Sequence, residues 1–161
     1  MAISNLERMI DLADEFFSSR TDPDQLDVNH EVLERLRQLH PATVSDYDEG
    51  TGPVAWVLLI PTTTALMNSF LEHRISEKEL YEQTPLNETY DAIYLCSALV
   101  LEEYRRQGIA KRLALKAIEK IRLDHPIKAL FSWAFSKEGD LAAEVIAQIA
   151  SLPLYKLVVN Q

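Results

Sequence analysis

The chain has 161 residues, 47% of them apolar and 25% charged, the size and composition of one globular domain that can bury its own core. Sixteen Lys and Arg against 25 Asp and Glu leave a net charge of −9, which argues against general nucleic-acid binding, where phosphates must be neutralised. Cys96 is the one cysteine, so an intrachain disulfide and a thiolate metal cluster are excluded.

Ser4-Asn5-Leu6-Glu7 reads as a capping box, a hydroxyl cap with an acid three residues on. After it, Leu6, Met9, Ile10, Ala13, Phe16 and Phe17 share a helical face, and this helix is predicted to end near Ser18 to Arg20. Its charges, Glu7, Arg8, Asp11, Asp14 and Glu15, leave no apolar core like that of a secretory leader. Thr21-Asp22-Pro23-Asp24 is a predicted turn. A second helix is predicted from about Asn29 to Leu39, with Val32, Leu36 and Leu39 inward and His40-Pro41 as its stop. Thr43 to Tyr47 and Val54 to Ile60 are predicted strands, joined as a hairpin through Asp48 to Pro53. The uncharged stretch Gly50 to Leu71 is broken at Pro61-Thr62-Thr63-Thr64, well short of the ~20 apolar residues of a membrane span.

Ala65 to Glu72 has a helical pattern, and Ser76-Glu77-Lys78-Glu79 opens a further short helix with a second capping box. Ala92 to Leu101 is apolar almost throughout, as suits a central strand covered on both faces. Strict alternation there places Tyr94 and Cys96 on one face and Ser97 on the other. Gly108 to Leu123 is a predicted helix with a stripe of Ile109, Ala110, Leu113, Ala114, Ala117, Ile118 and Ile121, stopped by Asp124-His125-Pro126. A strand follows over Ile127 to Phe135, with Ile127, Ala129, Phe131, Trp133 and Phe135 on one face. Then come a helix over Asp140 to Ala150, with Ala142, Val145, Ile146 and Ile149 inward, and a last strand over Leu154 to Val159. The C-terminal half therefore alternates strand and helix, the pattern of an α/β layer fold.

Charge is unevenly placed. Arg105 to Lys128 holds eight of the sixteen basic residues and only two acids, Glu119 and Asp124. This +6 island on an otherwise acidic chain suits either a small polyanion or a solvated basic helix face. Within it, a buried strand runs through a short basic turn with one glycine into a helix. The first turn of a helix leaves about four backbone N–H groups unpaired, and the helix dipole adds positive character there. A diphosphate at that position receives several donors at once. Gly108 and Ala110 allow close approach, and Arg105, Arg106, Lys111 and Arg112 add full charges. The turn lacks the Gly-Lys-Ser/Thr of a Walker loop and the three glycines of a dinucleotide fingerprint.

Arg105-Arg106-Gln107-Gly108-Ile109-Ala110, after Glu103-Tyr104, resembles the acetyl-coenzyme A motif of the GNAT superfamily of N-acetyltransferases, Gln/Arg-x-x-Gly-x-Gly/Ala between a strand and a helix. The resemblance is good over Ala92 to Phe135, loose over Asp140 to Val159 and poor over the first 90 residues. It implies an α/β fold: a mixed sheet with a splayed central strand and helices on both faces, here with extra N-terminal helices and a helical insertion. Residues 1–161 would form one acyl-CoA N-acyltransferase-like domain, comprising N-terminal helices (1–40), the insertion (62–90) and an acyl-CoA-binding core (91–161). Arg105, Arg106, Gln107, Gly108, Ile109, Ala110 and Lys111 would hold the diphosphate, chiefly through backbone N–H groups from Gln107 to Lys111. Leu99, Val100 and Leu101 match the splayed strand end beside which the pantetheine arm runs. Acetyl-CoA or another acyl-CoA is the implied cosubstrate, and the amine of a small molecule or peptide is the acceptor that attacks it directly.

The sequence also departs from the family pattern. Many relatives carry an Asn near the start of the helix after the next strand and, about seven residues later, a Tyr that protonates the departing thiolate. If Asp140 holds the Asn position, Ala147 holds that of the Tyr. No carboxylate on the strand 127–135 offers itself as a base, so the catalytic residues are unassigned. Tyr94 is either a proton relay or a buried structural tyrosine, and Ser136 either a coenzyme contact or a helix cap. The added segments read as an acceptor pocket, a homodimer face or plain core packing. His30, His40, His73 and His125 are scattered without carboxylate pairing, so no metal site is expected. Acids at Asp22, Asp24 and Asp27 favour a cationic acceptor or are merely solvated. A cytoplasmic N-acyltransferase without nucleic-acid or membrane partners is the resulting expectation. The alternatives are a non-catalytic acyl-CoA-binding or sensing protein with a degenerate site, and a structural protein that has kept only the fold.

Overall fold

In the computed structural model, residues 3–19, 30–133 and 137–157 are described. Helix α1 (Asn5–Ser19) opens with the Ser4 hydroxyl accepting the Glu7 N–H at 3.2 Å. Among its described side chains Met9 is fully buried and packs with Val54, Leu99 and Leu101, whereas Leu6 and Ile10, expected inward, are 49% and 45% exposed; the expectation for Phe16 and Phe17 lies outside the described side chains. Helix α2 (His30–Leu39) buries Val32, Leu36 and Leu39 as predicted. Its stop is built by His40, whose Nδ1 accepts the Ala42 N–H at 3.0 Å and so caps a short turn over Pro41–Thr43.

Strands β1 (Val44–Asp48) and β2 (Pro53–Thr62) form the expected antiparallel hairpin, with Val44 opposite Leu58. The Asp48 carboxylate fastens the turn by accepting the Gly50 and Gly52 N–H groups at 2.6 and 3.1 Å. Strand β2 runs through Pro61, which the sequence reading took as a break. Beyond Leu58, β1 no longer flanks β2, and a residue without an N–H is tolerated where a strand lacks a neighbour.

The insertion forms α3 (Thr64–Leu71) and α4 (Glu77–Gln83). Both halves of the Ser76–Glu79 capping box are present, with N···O distances of 3.1 Å. Arg35 of α2 donates to the Tyr81 and Thr84 carbonyls at the end of α4, each at 2.7 Å. The remaining elements are β3 (Ala92–Val100), α5 (Ile109–Asp124), β4 (Ala129–Trp133), α6 (Lys137–Ala150) and β5 (Leu154–Leu157). Sheet order is β1-β2-β3-β4-β5, antiparallel up to β3 and parallel from there on. The β3-α5-β4 and β4-α6-β5 crossovers put α5 and α6 together on one face. On the other face, Phe70 of α3 packs edge-on to Tyr94 of β3 at 5.2 Å and meets Phe131 of β4 at 5.7 Å. The insertion is thus part of the core, covering the central strands.

Helix α6 begins at Lys137, three residues before the prediction, so Asp140 lies inside it and pairs with Lys156 at 2.8 Å. Its buried residues are Ala143, Ile146 and Ala147, and Leu141, Val145 and Ile149 face outward at 52%, 40% and 56% exposure. This corrects the inward assignment of Ala142, Val145 and Ile149. Two alanines let the helix approach closely, and close approach decides the buried face here over bulk hydrophobicity. Expectations about Thr21 to Asn29, Phe135, Ser136 and Val159 lie outside the described residues.

At the far end of α5 the structure corrects the reading of scattered histidines. His40 Nε2, with Nδ1 already an acceptor, donates to Asp124 Oδ2 at 2.6 Å. The His125 ring lies 6.0 Å from that of His40 and 4.7 Å from that of Tyr90, and its Nδ1 accepts the Tyr90 N–H at 3.3 Å. Burial, and then the neighbouring His40, hold the His125 pKa below its ordinary value, against an opposing pull from Asp124. No helix among the described residues is long and apolar enough to cross a membrane.

Candidate functional site

The site starts from a break in strand pairing. Strand β3 pairs with β4 only from Ala92 to Leu95, ending at Leu95 opposite Ser132, while its pairing with β2 continues to Val100. Among the described residues, Cys96 to Val100 therefore have a partner strand on one side only. The β2–β3 register also slips: Leu59 faces Leu95, yet Leu58 faces Ser97, which leaves Cys96 as an extra residue. Such a bulge bends its strand and breaks the alternation of side chains. Ser97 and Leu99 consequently fall on the same face as Tyr94, which corrects the placement of Ser97. The Leu101 N–H is taken by the Val54 carbonyl at 2.9 Å. In an antiparallel ladder the backbone groups of successive residues alternate sides, so Leu99 also points toward β2. Ala98 and Val100 face the opened edge, where the Val100 carbonyl accepts from Arg105 Nε at 3.0 Å.

Beyond β3 the chain makes a single tight turn over Glu102–Tyr104 and then bends twice into α5. Arg106 and Gly108 both have left-handed backbones, with φ of 65° and 73°. For Arg106 that conformation costs roughly 1–2 kcal/mol, and strain of this kind concentrates at functional sites. Gly108 occupies the cap position of α5 and supplies no side chain to the first-turn N–H groups. A Cβ built there meets Arg112 Nη1 at 3.3 Å and Lys111 Cε and Nζ at 3.8 and 3.9 Å, so two cations frame the space above the backbone. The turn is braced by Arg112 Nη1 donating to the Gln107 carbonyl at 2.8 Å and by Gln107 Nε2 donating to the Glu103 carbonyl at 3.3 Å. Arg8 of α1 pairs with Glu103 at 2.6 Å and holds that carboxyl below the usual carboxylate range.

These features suit a ligand that is extended at one end and polyanionic at the other. The family model described as the acetyltransferase (GNAT) family matches residues 6–157. The chain belongs to the GNAT family of acetyltransferases. A solved structure that is similar is that of an aminoglycoside acetyltransferase from an uncultured soil metagenomic sample, determined with trehalose; it shares 15% identity over 99% of this chain and 88% of its own, with a TM-score of 0.49. No curated protein matches the chain.

Within this GNAT protein, Val100 and Arg105 to Lys111, singled out from sequence, follow one another from the open edge of β3 through the bend to the first turn of α5, whereas the backbone groups of Leu99 and Leu101, also singled out, are turned toward β2. What sequence reasoning missed comes from elsewhere in the chain. Two hydroxyls at the split, Ser97 Oγ and Ser132 Oγ, are buried with no hydrogen-bond partner among the described residues. An unsatisfied buried hydroxyl costs about 1–3 kcal/mol, and a polar ligand entering the split would relieve it. On the Tyr94 face, the Tyr94 hydroxyl donates to Glu77 Oε2 of α4 at 2.5 Å. An open cleft of about 640 Å³ lies between α1 and the end of β3, lined by Arg8, Asp11, Leu12, Glu15, Leu101, Glu102 and Arg105. Ala147, at the position matched to the family tyrosine, is buried and has no hydroxyl to offer. Among the described residues, no group of three or more His, Cys, Asp and Glu side chains is arranged to hold a metal ion.

Proposed function

We propose that the protein transfers an acetyl or other acyl group from acyl-CoA to the amine of a small molecule or peptide, by direct attack of the amine on the thioester. The observation that carries this reading is the open edge of β3 leading directly to an uncapped helix N-terminus at Gly108, flanked by Lys111 and Arg112. The orphaned hydroxyls at the split and the two cations beside Gly108 fit an acyl-CoA.

In this reading, first-turn N–H groups of Ile109, Ala110 and Lys111 receive the diphosphate, and Arg105, Arg106, Lys111 and Arg112 neutralise it. The open backbone of Ala98 and Val100 pairs with the pantetheine arm. An N–H on that edge stabilises the oxyanion that develops as the amine attacks. The coenzyme supplies the activated acyl group and a thiolate leaving group with a thiol-like pKa around 8.5, so protonation of that group adds little to the rate. Asp11, Glu15 and Glu102 in the cleft beside Leu101 favour a cationic acceptor. A cytoplasmic setting agrees with the single cysteine and acidic composition.

Isothermal calorimetry with coenzyme A tests the reading. A ligand at 100 times its Kd stabilises by about 2.7 kcal/mol, a rise in Tm of roughly 5–11 °C for a chain of this size. No heat and no shift would sink it. The buried Ala147 in place of a hydroxyl favours a second reading, a binding or sensing module without turnover. Thiol release from acetyl-CoA with amines separates the two.

A further inference from the structure

Ser132 stands where β3 and β4 part: it is the last β4 residue paired with β3, opposite Leu95. Its side chain shares a face with that of Leu95 and with that of Lys156, its neighbour on β5. Lys156 meets Asp140 and Glu144 of α6, so this is the face covered by α6 and α5. Ser132 is 5% exposed, and its hydroxyl finds no hydrogen-bond partner among the described residues. Buried hydroxyls without a partner are rare in folded proteins and costly to keep. The flanking side chains do not satisfy this one. Leu95 has no polar atom to offer, and the Lys156 ammonium is held by its two carboxylates. Nor is the place sealed. Deeper in the sheet, Ile93 and Leu130 are fully buried, whereas Leu95, Cys96 and Trp133 at the parting are half-buried. Lys156, on the other flank, is 31% exposed. Solvent therefore comes within one side chain of the hydroxyl on either side of it.

We infer that the Ser132 hydroxyl donates a hydrogen bond to the sulfur of the bound acyl-CoA. This inference rests on the acyltransferase reading above, and position along the open edge carries it. Arg105 binds the Val100 carbonyl and so fixes the charged bend beside that residue. From the diphosphate to the sulfur the pantetheine arm has about twelve bonds, roughly the length of four residues of extended chain. That length, taken back along β3 from Val100, ends at Cys96, next to the last β3–β4 pair. The sulfur-bearing end of the arm thus falls at the closed end of the opening, where Ser132 has a hydrogen to donate. The acidic cleft lies roughly 16 Å along the strand and on the other face, since α1 packs on Leu99. An acceptor with one cation in that cleft and its reacting amine at the parting is an extended one, such as a polyamine or a lysine peptide. In the transfer the amine lone pair forms the C–N bond, and the C–S bond breaks with its electron pair on sulfur. The proton lost by nitrogen ends on that sulfur, and the Ser132 proton stays on its own oxygen. A hydrogen bond to an ionised acceptor is roughly twice as strong as one to a neutral acceptor. The contact therefore tightens as charge gathers on sulfur, which raises the rate as well as the affinity.

Ser132→Ala separates this role from a structural one. The change removes a buried hydroxyl that no protein group satisfies, so Tm is expected to stay at or above the wild-type value. Calorimetry with coenzyme A and with desulfo-coenzyme A, which lacks the sulfur, reads binding without any need for turnover. Wild type should prefer coenzyme A by about three- to tenfold, the range of one hydrogen bond. The variant should bind coenzyme A weaker by that factor and desulfo-coenzyme A within about twofold of wild type, and so lose the preference. In thiol release from acetyl-CoA with a polyamine or a lysine peptide, kcat should fall by about tenfold with the KM for the amine unchanged. A variant that weakens both ligands equally, or neither, overturns the inference, as does an unchanged kcat. A Tm lower by more than about 3 °C overturns it too, because the protein itself then holds the hydroxyl. A wild-type protein that binds neither ligand sinks the acyltransferase reading itself.

Discussion

Arg105 Nε donates to the Val100 carbonyl oxygen at 3.0 Å, across the tight turn that joins β3 to α5. The side chain thereby ties the last residue of the open strand edge to the start of the basic bend. Arg105 is exposed, so replacing it costs little folding free energy, below about 1 kcal/mol. Arg105→Ala is expected to leave urea denaturation almost unchanged and to weaken coenzyme A binding about tenfold. Denaturation and calorimetry on the same preparation check this; equal affinity in the two proteins would detach Arg105 from the site.

Gly108→Asp places a carboxylate between Lys111 and Arg112, at a left-handed backbone of φ 73°. Aspartate tolerates that conformation better than most residues, so the stability cost should be no more than about 1–2 kcal/mol. Coenzyme affinity should be lost, because bulk and negative charge then occupy the space assigned to the diphosphate. Binding measured at rising salt provides a control on the wild type: affinity should fall as the ionic strength grows.

Arg35 bridges α2 to the Tyr81 and Thr84 carbonyls at the end of α4 and lies 5.0 Å above the Tyr81 ring. Charge-assisted hydrogen bonds of this kind contribute about 1.5–3 kcal/mol when buried, and this side chain is half-buried. Arg35→Ala should therefore destabilise by about 1–3 kcal/mol, or roughly 2–12 °C in Tm, with coenzyme affinity retained. A drop in affinity matching the loss of stability would show that α4 also shapes the coenzyme site.

His125 gives a pH dependence of defined sign. Burial and the neighbouring His40 lower its folded pKa below the ordinary 6.5. The unfolded chain thus binds more protons as the pH drops through that value, so stability increases with pH. The contribution is fully present above pH 6.5 and is lost as the pH falls below it toward the folded pKa. Denaturation at pH 7.5 and pH 5.5 should show a larger acid loss in wild type than in His125→Gln. Equal losses would place the acid sensitivity elsewhere.

Residues 105–110 were legible in the sequence because local chemistry dictates them. A basic turn with one glycine before an amphipathic helix exposes backbone donors whatever the rest of the fold does. The apolar run of β3 and the stripe of α5 likewise declare themselves by periodicity. The position of Ser97 was read on the wrong face, since one extra residue at Cys96 reverses every side chain beyond it. The outward face of α6 was misread because a helix stripe shows which residues are apolar, and packing distance selects among them.

Sequence by itself determined the elements, the charged bend and the family resemblance, all of which rest on residues near one another in the chain. Only the tertiary structure decided that β3 parts from β4 after Leu95, that Arg8 meets Glu103, and that Glu77 lies under Tyr94. These depend on contacts between residues 17 to 95 positions apart. Which residues such long-range packing brings together is set by how whole layers settle on one another, and no local pattern records it.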